Sequence, residues 1–296
     1  MNSKDLVTNV AQLVSLPEVC FRVNEMLNDT HVTSSQLGRV IRLDPALAAR
    51  LLRIVNSALY GFQSRIDTVS QAVTIIGLQE LRSLVMASSA YVVFNKIPTD
   101  LVDMDSFWHH SVYTGLVARN LADECKLTTR ETVFLSGLMH DVGQLVIYSQ
   151  LPKEAAEILK RSTPEETNLC DIEREVLGFD HTEVSSELLQ LWDLPRSLWE
   201  PIRHHHTPSE ATEYPLPTAI LHIANAIANT VEPIRKSTVA PASTAPQVDP
   251  DAWELTGLTD AIVDPITRTI KQKLPDVLEV ISQAKANATQ SPTTAF

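Results

Sequence analysis

The chain has 296 residues, 44% hydrophobic and 20% charged, enough to bury one large core or two smaller ones. Its formal net charge of −12 repels a phosphate backbone and disfavours nonspecific nucleic-acid binding, and three cysteines without a CxxC pair disfavour a disulfide framework or a zinc knot. The first residues, MNSKDLVTNV, lack the apolar stretch of a secretory leader, and no apolar run approaches the roughly 20 residues of a membrane span, so a soluble cytoplasmic protein is expected.

Aromatic residues make up only 5% of the chain and glycine is scarce, which favours helix packing over a turn-rich β architecture. In chain order, Asp44-Pro45 starts a helix, with the carboxylate as cap and the proline preset for the first turn. Leu47, Leu51, Ile54 and Val55 then line one buried face. Arg39, Arg42, Arg50 and Arg53 are close in sequence and read as a solvated helix face rather than a basic stripe for nucleic acid. Ser70–Ile76 forms a short helix closed by Gly77, and Gln79–Phe94 a longer apolar one.

After a break at 98–103, Asp105 is the expected cap of a helix whose face carries Trp108, Val112, Gly115 and Leu116, with Arg119 at its polar edge. Thr128 and Glu131 have capping-box spacing before the next helix, and Asp180 and Glu183 are similarly placed before Val184–Trp192. Pro195 restarts a helix that ends in His204-His205-His206, and Pro217 opens another through Ile223 and Ile227. The Ser, Thr, Pro and Ala-rich stretch 237–251 reads as a linker or surface loop. Leu258–Ala286 returns to helical periodicity, with Leu258, Ile262, Ile266 and Ile270 needing cover, and the tail from Asn287 is expected to fray.

The placement of the nine histidines carries the chemistry. His140-Asp141 ends one helix, His110 lies one helix earlier, His181 begins a later helix, and His205 and His206 end the next. Helix-end imidazoles and a carboxylate can converge on one interior pocket of a bundle, a donor set suited to iron, manganese, zinc or nickel. His109 and His204 read as neighbours of functional histidines, His31 as a loop residue and His222 as a packed or surface residue.

Several motifs in order resemble the HDOD branch of the HD superfamily. They are LPEVC, then RVIRLDPALAARLLRIVNSALYG, TVSQAVTIIGLQELRSLVMAS, FWHHSVYTGLVARNLA, LSGLMHDVGQLV, EREVLGFDHTEVSSELLQLWDLP and IRHHHTP, together spanning about Leu13 to Asn229. The resemblance implies an all-α, HD-domain-like helical bundle with an N-terminal helical lobe. The expected divisions are an N-terminal lobe at 1–100, an HD-like lobe with the His/Asp pocket at 101–233, a linker at 234–252 and a C-terminal helical segment and tail at 253–296. By the same resemblance His110, His140 and Asp141 are primary metal ligands, and Asp141 is placed to bridge two ions. His181 and His205 match second-metal ligands of the related HD-GYP phosphodiesterases, with His206 as a further one.

Two positions depart from those enzymes. Asn225, in HIANAIAN, stands where they carry an aspartate, and a neutral oxygen holds a divalent cation less well. Gln144 stands where they carry a lysine, which removes a partner for phosphate charge. The Gly-Tyr-Pro motif is absent as well, since Tyr214-Pro215 lacks the glycine. The resemblance therefore implies a signal-transduction regulatory module with one or two divalent ions at most, acting mainly through signalling proteins. The alternative is a metal-dependent phosphohydrolase taking a nucleotide or cyclic dinucleotide as ligand.

Overall fold

The computed structural model describes residues 2–11, 16–27, 31–57, 60–94, 100–162, 169–234 and 245–282. The expected frayed tail from Asn287 lies outside the described residues, as does 235–244 of the expected linker. Helices account for the fold, and no strand occurs among the described residues. The early helices are α1 (Ser3–Val10), α2 (Glu18–Leu27), α3 (Ser34–Ile41), α4 (Pro45–Val55), α5 (Val69–Ile76) and α6 (Leu78–Phe94). The middle ones are α7 (Met104–Glu124), α8 (Arg130–Met139), α9 (Val142–Gln150), α10 (Pro152–Arg161), α11 (Leu169–Leu177) and α12 (His181–Leu191). The last are α13 (Arg196–Arg203), α14 (Pro215–Val231), α15 (Pro250–Thr256) and α16 (Val263–Ser282). The fold is all-α, as the helical patterning and the resemblance imply.

The helices form two compact units. One contains residues 16–93 with 271–282, and the other contains 2–11 with 94–270 among the described residues. In the first, Asp44 caps α4 by accepting the Leu47 N–H at 2.9 Å, and Leu47, Leu51 and Val55 are fully buried. Asn56 follows, donating to the Leu52 and Ile66 carbonyls and accepting the Ile66 N–H, which holds the return of the chain toward α5. Thr68 caps α5, and Gly77, at φ +90°, closes it in a conformation that other residues rarely adopt. Arg39 and Arg42 are exposed as expected, but Arg50 is half-buried and its Nε donates to Ser88 Oγ at 2.7 Å.

The second unit is built on close helix crossings. A Cβ on Gly137 of α8 would lie 2.6 Å from the Gly115 Cα of α7, so two glycines let these backbones meet. A Cβ on Gly143 of α9 would lie 2.1 Å from the His181 carbonyl, so this glycine lets α9 pass the start of α12. α14 packs on α7, α8 and α13. Among the described residues no helix is long and apolar enough to cross a membrane.

Several local expectations need correction. Asp103, not Asp105, caps α7. Arg119 is buried rather than at a polar edge, and its guanidinium meets Glu131 Oε1 at 2.5 Å. Thr128 and Glu131 form no capping box, because α8 starts at Arg130 and puts Thr129, which makes no side-chain cap, at the N-cap position. α14 opens at Pro215 rather than Pro217. The stretch read as linker through 252 already becomes helix at Pro250, because Asp249 accepts the Asp251 N–H at 2.9 Å and caps α15. In the C-terminal segment Ile266 and Ile270 are buried, while Leu258 and Ile262 are only half-covered.

Candidate metal centre

The sequence-predicted histidines and Asp141 come together in the second unit. His110 projects from α7, His140 and Asp141 occupy the junction between α8 and α9, His181 opens α12, and His205 and His206 follow α13. His110, His140, Asp141, His181 and His205 are buried, and His206 is half-buried. Local chemistry explains why α12 starts at His181: the Asp180 side chain accepts the Thr182 and Glu183 N–H groups. Ser185, one turn on, donates to the His140 carbonyl at 2.9 Å and accepts the Gly143 N–H at 2.8 Å, which ties α12 to the His-Asp junction.

Second contacts set the orientation of each ring. The Nδ1 atoms of His110, His140 and His205 lie 2.8, 2.7 and 2.8 Å from the carbonyls of Glu232, Gly137 and Ile202. A carbonyl only accepts, so each of these Nδ1 atoms carries the proton and a neutral ring then turns its Nε2 lone pair inward. The inward atoms gather on Asp141. His140 Nε2 is 3.1 Å from Oδ2, His181 Nε2 is 3.2 Å from Oδ1, and the Nε2 atoms of His110 and His205 are each 3.9 Å away. His110 Nε2 also faces His140 Nε2 at 3.4 Å and Asn225 Oδ1 at 3.2 Å.

This donor set fits a divalent cation. His205 Nε2 is buried with no hydrogen-bond partner, an expense that a cation would relieve. Among the described residues three groups of donor atoms each lie within 4.8 Å of one another: Cys170 with Glu173 and His181, and two around Asp141, namely His110 with His140 and Asp141, and Asp141 with His181, His205 and His206. Asp141 belongs to both, the position required of a carboxylate shared by two ions.

Burial lowers the pKa of His110 to about 4, with His140 adding to the shift, and lowers His206 to about 3, with His181 adding. Burial likewise pushes His205 well below the ordinary histidine value, so these rings are neutral at neutral pH. Burial opposes charge on Asp141 too, but His140 and His181 overcome it and hold the carboxyl well below its ordinary range. For His181, burial is outweighed by Glu173, whose Oε2 lies 2.7 Å from Nδ1, and its pKa stands well above the ordinary value.

The two departures are also positioned. Asn225, on α14, reaches the pocket through its Oδ1 and is itself approached by Asn229 Nδ2 at 3.3 Å. Gln144, one turn into α9, is buried with Oε1 accepting the Tyr148 hydroxyl at 3.1 Å. His109 and His204 stay outside, near Glu232 and Glu210. His222 is a half-buried, packed link: Nδ1 donates to the His205 carbonyl at 2.8 Å and Nε2 accepts the Asp249 N–H at 2.9 Å. Sequence spacing did not single out Glu173, Ser185 or Gly143, since each acts through a contact between helices.

The HDOD domain family matches residues 13–208. An uncharacterized protein of Treponema pallidum (strain Nichols) is 25% identical over 212 residues, which is 70% of this chain and 40% of that protein. The chain thus spans less than half the length of that curated relative. Among solved structures, a candidate phosphohydrolase of Shewanella amazonensis SB2B aligns with a TM-score of 0.72 at 24% identity, over 93% of this chain and 97% of that one. An HDOD domain protein of unknown function from Geobacter sulfurreducens also gives 0.72, at 22% identity over 95% and 97%. A candidate signal transduction protein of Marinobacter aquaeolei VT8 gives 0.70, at 19% identity over 92% and 61%. At these identities the structures speak for the fold, whereas the family match spans most of the chain: this protein belongs to the HDOD domain family.

Proposed function

We propose that this chain is a signal-transduction regulatory module that holds a divalent cation in its His/Asp centre, turns over phosphodiesters little or not at all, and acts through protein partners. The observation that carries this reading is Asn225 Oδ1 at 3.2 Å from His110 Nε2. A neutral amide thus lines the pocket where the HD enzymes carry a carboxylate, and Asp141 is the sole carboxylate shared by both donor groups. Two divalent ions would leave a large uncompensated positive charge in a buried pocket, so one ion is favoured over two. Iron, manganese, nickel and zinc all suit imidazole and carboxylate donors.

When bound, a divalent cation supplies Lewis-acid charge that can activate water and neutralise a phosphate. The chain's own residues are poorly arranged to use that charge. Gln144 occupies the expected lysine position and is tied to Tyr148, so no fixed cation stands there for a phosphate. The signalling role draws support from family membership and from the name of the Marinobacter relative. A phosphohydrolase acting on a nucleotide or cyclic dinucleotide is the second reading, favoured by the position of Asp141 in both donor groups.

The test is metal content of protein purified without an affinity tag or added metal, followed by turnover assays on cyclic di-guanylate and simple phosphodiesters with iron, manganese and nickel. Bound metal with negligible turnover supports the module. Turnover of ~1 s⁻¹ that disappears in Asp141→Ala establishes the hydrolase instead.

A further inference from the structure

We infer that Glu173 is the positioning residue of the metal centre: its carboxylate grips His181 from behind and fixes which ring nitrogen faces the pocket. The inference deepens the metal reading above and rests on it in part. Glu173 lies on α11 and is fully buried. Its Oε2 accepts from His181 twice, from the backbone N–H at 2.8 Å and from Nδ1 at 2.7 Å. A single oxygen thereby ties the first residue of α12, whose start Asp180 caps, to the rotation of the ring carried there. With Nδ1 held as a donor, Nε2 is the atom directed at Asp141 Oδ1, 3.2 Å away.

His110, His140 and His205 have backbone carbonyls in this role, at 2.7–2.8 Å. His181 alone among these rings has a carboxylate, which adds charge to orientation and makes the imidazole a stronger donor to a cation. Cys170 Sγ lies 3.9 Å from the same Nδ1, much farther than the 2.7 Å of the Glu173 contact, and is a poor rival for that proton.

Two variants separate the contributions. In Glu173→Gln the amide oxygen can still accept both hydrogen bonds but brings no charge, whereas Glu173→Leu removes both. Cobalt(II) is the probe, with affinity and stoichiometry from calorimetry and ligand-field absorption reporting the ring set around the ion. The expected loss of affinity is about 10-fold for Glu173→Gln and about 100-fold for Glu173→Leu, the span found for partners behind a metal-binding histidine. The absorption envelope should change in Glu173→Leu and be largely retained in Glu173→Gln, a rescue that a purely architectural role would not produce. Equal affinity and an unchanged spectrum in both folded variants overturn the inference.

The metal-free protein gives an independent readout, the His181 Nδ1 proton in the NMR spectrum. A far-downfield, slowly exchanging resonance is expected in the parent and in Glu173→Gln, and its absence from the folded parent overturns the inference even where cobalt binds. A parent that shows this resonance but takes up no cobalt defeats the metal reading while leaving the hold of Glu173 on His181 supported. Should Glu173→Leu fail to fold, the parent and Glu173→Gln still decide the matter through that resonance and the 10-fold shift.

Discussion

At the scale of single residues, the pocket is governed by where formal charge is missing. Asn225→Asp would place a carboxylate 3.2 Å from His110 Nε2. In the metal-free protein that buried charge lacks a full partner and should lower stability. Manganese(II) should then bind about tenfold more tightly, equivalent to about 1.4 kcal/mol. Calorimetric titration and metal-dependent melting check both signs, and an affinity equal to the parent's removes Asn225 from the ligand shell.

Glu200 presents the opposite case, a buried carboxylate with many donors. It accepts from the Thr212 hydroxyl and from the backbone N–H groups of Thr212, Glu213 and Tyr214, and pairs with Arg196. Burial alone would raise its pKa, but the Thr212 hydrogen bonds and the others pull it down to about 2 from 4.5. A depressed carboxyl contributes stability above its unfolded pKa and loses it as pH falls through the folded value. The contribution should therefore fade between about pH 4.5 and about pH 2, and denaturant unfolding across that window should show a flatter acid limb in Glu200→Gln. Because these bonds hold the turn leading into α14, Glu200 also supports the helix that delivers Asn225.

At the scale of elements, contact between helix backbones decides the geometry. In Gly143→Ala the new methyl would meet the His181 carbonyl at 2.1 Å and Ser185 Oγ at 2.8 Å. Neither the carbonyl nor the backbone behind it can swing aside cheaply, so α9 and α12 must move apart. A destabilisation of about 2–3 kcal/mol is expected, together with loss of metal affinity as His181 leaves Asp141. Urea unfolding and calorimetry with manganese report these separately, and full affinity in a stable Gly143→Ala protein would show that the crossing does not set the site.

The α4 helix behaves more simply. Leu51 is fully buried, and Leu51→Ala should cost about 2–5 kcal/mol in denaturant unfolding, against about 1 kcal/mol for loss of the Asp44 cap. A loss below about 0.5 kcal/mol at Leu51 would contradict its place in the core.

At the scale of the whole molecule, acidity dominates the long-range field. The net charge of −12 should prevent measurable retention of random-sequence duplex DNA at physiological salt, read by fluorescence anisotropy. Binding that weakens steeply with added salt would reveal a basic surface that the net charge conceals. The exposed Arg39 and Arg42 are natural candidates for such a surface, whereas Arg50 is engaged with Ser88.

Much of this architecture was legible in the sequence because it depends on local rules. Helical periodicity, the Asp44-Pro45 start and the Asp180 cap are encoded within a few residues of where they act, and the structure forms all of them. The histidines too were legible as a set, since each sits near a helix terminus, and the structure brings His110, His140, Asp141, His181, His205 and His206 together. What the tertiary structure alone decided involves residues distant in sequence. Arg119 pairs with Glu131 across α7 and α8, which buries a guanidinium expected at a polar edge. His222 links the His205 carbonyl to Asp249, and Glu173 reaches His181 from a different helix. The physical reason is one of range. A cap or an amphipathic face is satisfied by its own neighbours in the chain, whereas a buried polar group takes whichever partner the packing of other helices delivers, and only the folded chain chooses that partner.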